Sequence, residues 1–453
     1  MERFIFHERD VVSVGLFGLG RSNLGVMSYL SERYPHLSFT LRQDRPLSLK
    51  GPHLSGRFGK IFIGKNSLDD IREDILFLSP TVKRDRLSRC GAILTSDAEF
   101  FFDGVKYPIF AVTGSDGKST TVTLTSLLLS DGGRRAPAIG NIGVAMTPML
   151  GVKNDFAAAE LSSFQLMSFS PRVKRAYVTN ITPNHLDFHS SFEEYAFAKA
   201  RIYENAEEII VNLDDSVSLS LLPRDRLYAA VSDSLPFCEA VKRVKAEIYI
   251  TVEDGYILKN GSVLFDTRKM RCRNRHTVEN LAAAIAITDG YTSCERINAV
   301  GREFSGLPHR CELIGEFCGV KYFNSSIDST PQRTATTLDS LGGGLIVILG
   351  GKGKGLSYEP LLSPLKAHAR AVVLTGANGC EIADTIKRDR SLSDLKIYMK
   401  DSFYDAVMAA IGAASPGDTV ILSPASTSFD AFRDFAERGN KFKEIVTNYY
   451  YKV

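Results

Sequence analysis

The stretch Ile109-Phe110-Ala111-Val112-Thr113-Gly114-Ser115-Asp116-Gly117-Lys118-Ser119-Thr120-Thr121 decides the fold. It opens with apolar, β-prone residues, and beyond Thr121 it carries leucines at 124, 127 and 128, on one helical face. A strand that runs through a glycine-rich turn into a helix forms a phosphate cradle. The glycines let backbone N–H groups close on phosphate oxygens, and the helix N-terminus adds a positive partial charge. In this reading Gly114, Ser115, Asp116, Gly117, Lys118, Ser119 and Thr120 bind ATP, with Lys118 at the β- and γ-phosphates and the Ser119 hydroxyl on Mg²⁺. The loop is two residues shorter than GxxxxGK[ST], and so short a match also describes a plain glycine-rich turn with an exposed lysine.

The same pattern recurs outward from this loop. Upstream, a strand over 11–17 ends in Gly18-Leu19-Gly20-Arg21-Ser22-Asn23 and leads to a helix through Val26, Met27 and Leu30. Asn23 stands where GxGxxG has its third glycine, so the dinucleotide fingerprint is incomplete. Apolar runs over 60–63 and 75–78 continue the alternation up to a boundary near Val105. Downstream come the turn Gly140-Asn141-Ile142-Gly143 and a strand over 156–159 that ends at Glu160. A carboxylate there is placed as a Mg²⁺ ligand beside the phosphate loop, although Glu160 alone also reads as a helix N-terminal charge. A strand over 176–180 delivers Asn184, His185, Asp187 and His189, a cluster suited to metal binding or to ordinary turn chemistry. The helix over 192–202 carries Lys199 between Ala198 and Ala200, where the plain reading is a solvated lysine.

Strands over 208–211 and 247–252 and a helix over 280–287 lead to a second boundary near Gly301. Beyond it, strands are expected over 320–323, 345–349, 371–374, 396–399 and 419–422, with a helix over 333–338. Alternating strands and helices predict an α/β protein with parallel sheets and ligands at the carboxyl ends of the strands. Three domains are expected: a Rossmann-like one over 1–105, a P-loop ATPase-like one over 106–300, and a second Rossmann-like one over 301–453.

Composition narrows the class. At 453 residues, roughly 150 per domain gives about three domains. Apolar residues make up 44% and charged residues 24%, which excludes wholesale disorder. Lys plus Arg (55) against Asp plus Glu (52) leaves +3, too little for a dedicated nucleic-acid binder. Seven scattered cysteines without a CxxC pair fit reduced thiols. No basic leader or bilayer-length apolar run is evident, so a soluble cytoplasmic protein without membrane insertion is expected.

The motifs TGSDGKST, GNIG, ELSSFQL, NITPNHLDFH followed by AKARIY, GLPHR, LGGKGKG and LSPASTSFDAFRDFAERGNKF fall in one order. Together they resemble the Mur ligase family over residues 11 to about 446, and ELSSFQL with the last block resembles its D-glutamate-adding branch. The resemblance implies a cytoplasmic enzyme of peptidoglycan synthesis that uses ATP to activate the carboxylate of UDP-N-acetylmuramoyl-L-alanine as an acyl phosphate. D-glutamate then attacks, releasing ADP and phosphate. By similarity, Ser119 and Glu160 hold one Mg²⁺ ion, and His185 and Lys199 serve a second, Lys199 as a CO₂-derived carbamate. Arg310 serves the γ-phosphate, and Asn280 lies near the nucleotide. Ser22, Arg45, Asn141, Ser162 and Gln165 match positions for the UDP substrate. Ser329, Lys354, Ser428 and the backbone of Phe435 match positions for D-glutamate. The partners implied are these small molecules, with no nucleic acid, and a monomer is expected.

Some positions depart from the family pattern. The turn Asn324-Ser325-Ser326-Ile327-Asp328-Ser329 replaces NDSKAT-type sequence, so Ser325 and Ile327 stand for an Asp and a Lys, and Asp328 is a candidate replacement carboxylate. Thr277 replaces an Asn, and Thr81 a Gly. Alternatives are a Mur-type or folylpolyglutamate-type ligase with another acceptor, an inactive nucleotide- or UDP-sugar-binding module, and, more remotely, a dinucleotide oxidoreductase.

Overall fold

A computed structural model describes residues 3–44, 58–82, 84–87, 90–183 and 188–451. The chain divides into two compact units, Met1–Phe304 and Ser305–Val453. Arg45, Asn184, His185 and Asp187 lie outside the described residues.

The first unit holds two main sheets. A five-stranded, all-parallel sheet has the order Lys60–Ile63, Ser38–Gln43, Ser13–Phe17, Ile75–Phe77, Ile93–Thr95. Its central strand reads Ser-Val-Gly-Leu-Phe and is almost wholly buried, as expected of a strand covered on both faces. Helix Arg21–Arg33 closes one face with Val26, Met27 and Leu30 against Val14, Leu16 and Leu41. Burying each such side chain is worth about 1.5–3 kcal/mol. An unpredicted two-stranded hairpin, Ile5–Phe6 with Arg9–Asp10, precedes this sheet.

The second sheet has nine strands, and the strand Ile109–Thr113 lies between Arg172–Val178 and Ala157–Glu160. Both neighbours run parallel to it, with Glu160 opposite Val112 and Val178 opposite Thr113. All three strands therefore release their chains at one level. The sheet is parallel except at its far edge. There Ile248–Glu253, Tyr256–Lys259 and Ser262–Asp266 form an antiparallel meander. Its turns hold Asp254-Gly255 and Asn260-Gly261 at positive φ (49° and 81°, 49° and 79°), the two-residue geometry that matches strand twist.

The second unit is a six-stranded sheet flanked by separate apolar clusters. Five of its strands are parallel, and Glu312–Phe317 adds an antiparallel edge against Val320–Asn324. The helix expected over 333–338 spans Pro331–Leu341, with proline in its first turn, where the missing N–H costs nothing.

Candidate active site

In the first unit the phosphate loop stands at the carboxyl end of Ile109–Thr113, and helix Lys118–Leu129 follows directly. Gly117 caps that helix at φ 80°, and a Cβ there would come within 2.6 Å of Asn280 Oδ1. Gly114, at φ 144°, would place a Cβ 1.8 Å from Thr179 Oγ1. Glycine is required at both positions.

The ends of the neighbouring strands brace the loop. Ser115 N–H donates to Asn180 O (2.8 Å) and Asp116 N–H to Asn180 Oδ1 (3.0 Å). Thr179 Oγ1 donates to Asp116 O at 2.5 Å. Ser115 Oγ donates to Thr182 O (3.0 Å), accepts from Thr182 N–H (3.0 Å) and lies 2.9 Å from the Tyr195 hydroxyl. Lys118 Nζ donates to Ser115 O at 2.8 Å, and Thr121 Oγ1 donates to Asn280 Oδ1 at 3.0 Å. Asn280 is thus tied to the helix that opens at the phosphate loop.

Lys199 overturns the solvated reading. It is 2% exposed on helix Phe192–Ala200, donates to Gly114 O at 2.7 Å, and lies 4.6 Å from the centre of the Tyr195 ring. Burial, and next the charge of Lys118, push its ammonium well below the usual lysine range, against the pull of Glu160 and Asp116. The surroundings therefore favour the neutral amine of Lys199 against the phosphate loop. Glu160 is 4% exposed, and its Oε2 has no hydrogen-bond partner among the described residues. A buried carboxylate oxygen without a donor suits a cation ligand. Among the described residues, no group of three or more His, Cys, Asp or Glu side chains could hold a metal ion, and His189 is packed into the core. It is 2% exposed, lies 3.0 Å from Ser163 Oγ through Nε2, and stacks on Phe164.

The UDP-substrate candidates are held by local bonds. Ser162 caps the short helix Ser163–Leu166, and its N–H and Oγ both donate to Gln165 Oε1 at 2.9 Å. Ser22 lies near Asp97, a buried carboxyl that accepts from Thr147 N–H (2.9 Å) and Thr147 Oγ1 (2.6 Å). Asn141 N–H donates to Glu160 O at 3.2 Å. Arg21, unassigned from sequence, donates to Gly140 O (2.7 Å) and Gly143 O (3.1 Å) and so fastens the first glycine loop to the GNIG turn. Ser79 and Pro80 line a cleft of about 230 Å³ with Phe164, Met167 and Phe188. Thr277 donates to Asn274 Oδ1 through N–H and Oγ1 (both 2.9 Å), so it completes the cap of helix Arg275–Ile287.

In the second unit, Arg310 lies between His309 and Cys311, both non-glycine residues at positive φ (63° and 47°). Such backbone is sparsely populated and concentrates at functional loops. Lys354 Nζ donates to Ser329 Oγ at 3.1 Å. Desolvation, and then the nearby Arg333 cation, push the Lys354 ammonium down. Ser428 is buried, and the Phe435 carbonyl accepts from Ser326 Oγ at 2.8 Å. Ser325 Oγ accepts from Cys311 N–H at 3.1 Å. Asp328, the candidate replacement carboxylate, is buried, and its Oδ2 accepts from Thr337 Oγ1 and Ser423 Oγ, both at 2.8 Å, inside the fold. Sequence reasoning missed Tyr195, Arg21, Asp97, Arg333 and Arg438. Tyr195 alone left a signal, one helical turn before Lys199.

Fold and loop define a P-loop α/β protein, and comparison with known proteins narrows the class. The Mur ligase middle domain matches residues 112–288, and the Mur ligase glutamate ligase domain matches residues 309–426. A UDP-N-acetylmuramoylalanine--D-glutamate ligase of Ruminiclostridium cellulolyticum is 36% identical, over 96% of each chain. A protein of the same name from Clostridium novyi is 34% identical, again over 96% of each chain. Among solved structures, a pseudomurein peptide ligase type C from Methanothermus fervidus aligns with TM-score 0.56 at 17% identity, covering 96% of this chain and 99% of its own. The chain belongs to the Mur ligase family.

Proposed function

We propose that this chain is an ATP-dependent ligase that joins D-glutamate to UDP-N-acetylmuramoyl-L-alanine in cytoplasmic peptidoglycan synthesis. The observation that carries the chemistry is the meeting of Lys118, Lys199 and Glu160 around one phosphate loop. The choice of acceptor rests on full-length similarity to ligases named for D-glutamate. The division into domains 1–105, 106–300 and 301–453 and a monomeric state are parts of the same proposal. Among the described residues, no helix is long and apolar enough to cross a membrane.

The residues present fit Mg²⁺. The unpartnered Glu160 Oε2 and the Ser119 hydroxyl are hard oxygen donors, and His185 is assigned to the second ion by resemblance. When bound, the ions would neutralise charge on the transferring phosphoryl group. A bare ammonium cannot ligate a cation. A neutral Lys199 amine can add to CO₂, forming an N–C bond and losing one proton, to give a carbamate with oxygen donors.

The remaining work belongs to the chain's own groups. Loop N–H groups and Lys118 hold the phosphates, and the strand-end braces from Thr179 and Asn180 keep that cradle fixed. Ser22, Asn141 and the ELSSFQL turn orient the UDP substrate. Arg310 supplies a cation for the phosphoryl charge, and Lys354 attracts a carboxylate of the acidic amino acid. The test is ATP-dependent phosphate release with UDP-N-acetylmuramoyl-L-alanine, comparing D-glutamate with L-glutamate, D-aspartate, L-lysine and meso-diaminopimelate. Stimulation by D-glutamate alone supports the proposal. Stimulation by a diamino acid overturns the acceptor, and silence with all five overturns the ligase reading in favour of a binding module.

A further inference from the structure

Arg438 is among the largest fully buried side chains of the protein, yet among the described residues its guanidinium hydrogen-bonds to no carboxylate. Nε donates to Ser326 Oγ (3.0 Å) and Nη1 to Thr427 O (3.1 Å), while Nη2 donates to Ser326 O (2.9 Å) and Ser426 O (3.0 Å). All four acceptors are neutral. Burial lowers the guanidinium to about 10, and the charges of Asp430 and Asp328 oppose this only in part. A buried cation without an ion-pair partner is costly, so its retention calls for a job that a neutral side chain cannot do.

The bonded atoms show that job. Ser326 belongs to the turn that ends at Ser329, and its Oγ also donates to the Phe435 carbonyl (2.8 Å). Ser426 and Thr427 lead directly into Ser428. Thr427 is strapped to Lys352 by N–H bonds in both directions (2.9 and 3.0 Å) and by its hydroxyl on Lys352 O (2.8 Å), and that loop continues to Lys354. One planar fork therefore reaches, directly or through a single relay, every segment that presents a candidate amino-acid-binding group.

We propose that Arg438 is the positioning residue of the acidic-amino-acid pocket, setting the spacing of Ser329, Lys354, Ser428 and the Phe435 backbone without touching the ligand. The proposal rests on the reading that these four groups bind the incoming amino acid. Lysine offers three donors from one point and cannot span three segments as the flat guanidinium does.

The test uses the full-length protein with Arg438→Lys and Arg438→Met, each shown to be folded by circular dichroism. Steady-state kinetics would give separate KM values for amino acid, ATP and UDP precursor. In Arg438→Met the KM for the amino acid should rise about tenfold or more, with Arg438→Lys between it and the parent, while the other two KM values stay within about twofold. Hydrogen exchange should quicken together over 326–329, 352–354 and 426–428. An unchanged amino-acid KM in folded protein, or all three KM values rising together, would overturn the proposal. Should Arg438→Met fail to fold, Arg438→Lys decides by the same criteria. If the parent enzyme prefers another amino acid, the D-glutamate assignment fails, and the Arg438 claim is judged on that amino acid and on the exchange data. If the parent is inactive, unchanged exchange over the three segments overturns the claim by itself.

Discussion

Lys199 should make the stability of the first unit depend on pH in a way that one substitution removes. The residue is 2% exposed, and its folded pKa lies well below the ordinary lysine value because of burial and then Lys118. Between the folded and unfolded pKa values the unfolded chain binds a proton that the folded chain refuses. Stability then rises with pH across that window, by up to about 1.4 kcal/mol per unit. The full benefit is present only above the unfolded value, and below the folded value the penalty stays constant. At roughly 2–4 °C per kcal/mol for a sizeable domain, this amounts to at most about 3–6 °C in melting temperature per pH unit. Lys199→Met keeps most of the volume and carries no proton. Melting curves of both proteins between pH 7 and 9.5, in CO₂-free buffer, should therefore diverge as pH falls, with the variant the more stable at neutral pH and the two converging at high pH. The variant should also lose ligase activity. Parallel pH dependences for the two proteins would refute the claim that its surroundings lower the Lys199 pKa. Added bicarbonate should raise the melting temperature of the parent alone, because only it has the Lys199 amine to convert.

Tyr195→Phe keeps the ring beside Lys199 and removes one hydrogen bond to Ser115 Oγ, which retains Thr182 O and N–H as partners. A loss of about 1 kcal/mol and a few-fold rise in KM for ATP are expected, read by melting and by steady-state kinetics. Arg333→Ala removes a charge that depresses the Lys354 ammonium, so the alkaline limb of the pH profile of kcat/KM for the amino acid should move upward. Glu73→Ala strands the buried Arg42 guanidinium, which donates to both Glu73 carboxylate oxygens (3.1 and 3.0 Å), and should cost about 3–5 kcal/mol in chemical denaturation.

The parts legible in the sequence were those whose signal is local. Strand, glycine turn and helix around Lys118 follow from consecutive residues, and so do the five parallel strands of the second unit. The antiparallel meander is equally local: Asp254-Gly255 and Asn260-Gly261 are two-residue hairpin turns between short β-prone runs. The state of Lys199 was not legible, because its burial comes from packing of helix Phe192–Ala200 against a loop 85 positions away. For the same reason the burial of His189 beside Ser163 and the bonds from Ser423 and Thr337 to Asp328 could not be read from the sequence. Arg438 was quoted within a motif without a role, since only the fold brings Ser326, Ser426 and Thr427 around it.

The central claim is a phosphoryl transfer to a carboxylate followed by amide formation with D-glutamate. The most direct measurement supplies UDP-N-acetylmuramoyl-L-alanine with ¹⁸O in its alanyl carboxylate and determines the mass of the phosphate released. An acyl phosphate breaks at its C–O bond when the amine attacks, so each phosphate formed in the presence of D-glutamate should carry one ¹⁸O from the carboxylate. Unlabelled phosphate, formed by attack of water on ATP, would contradict the account.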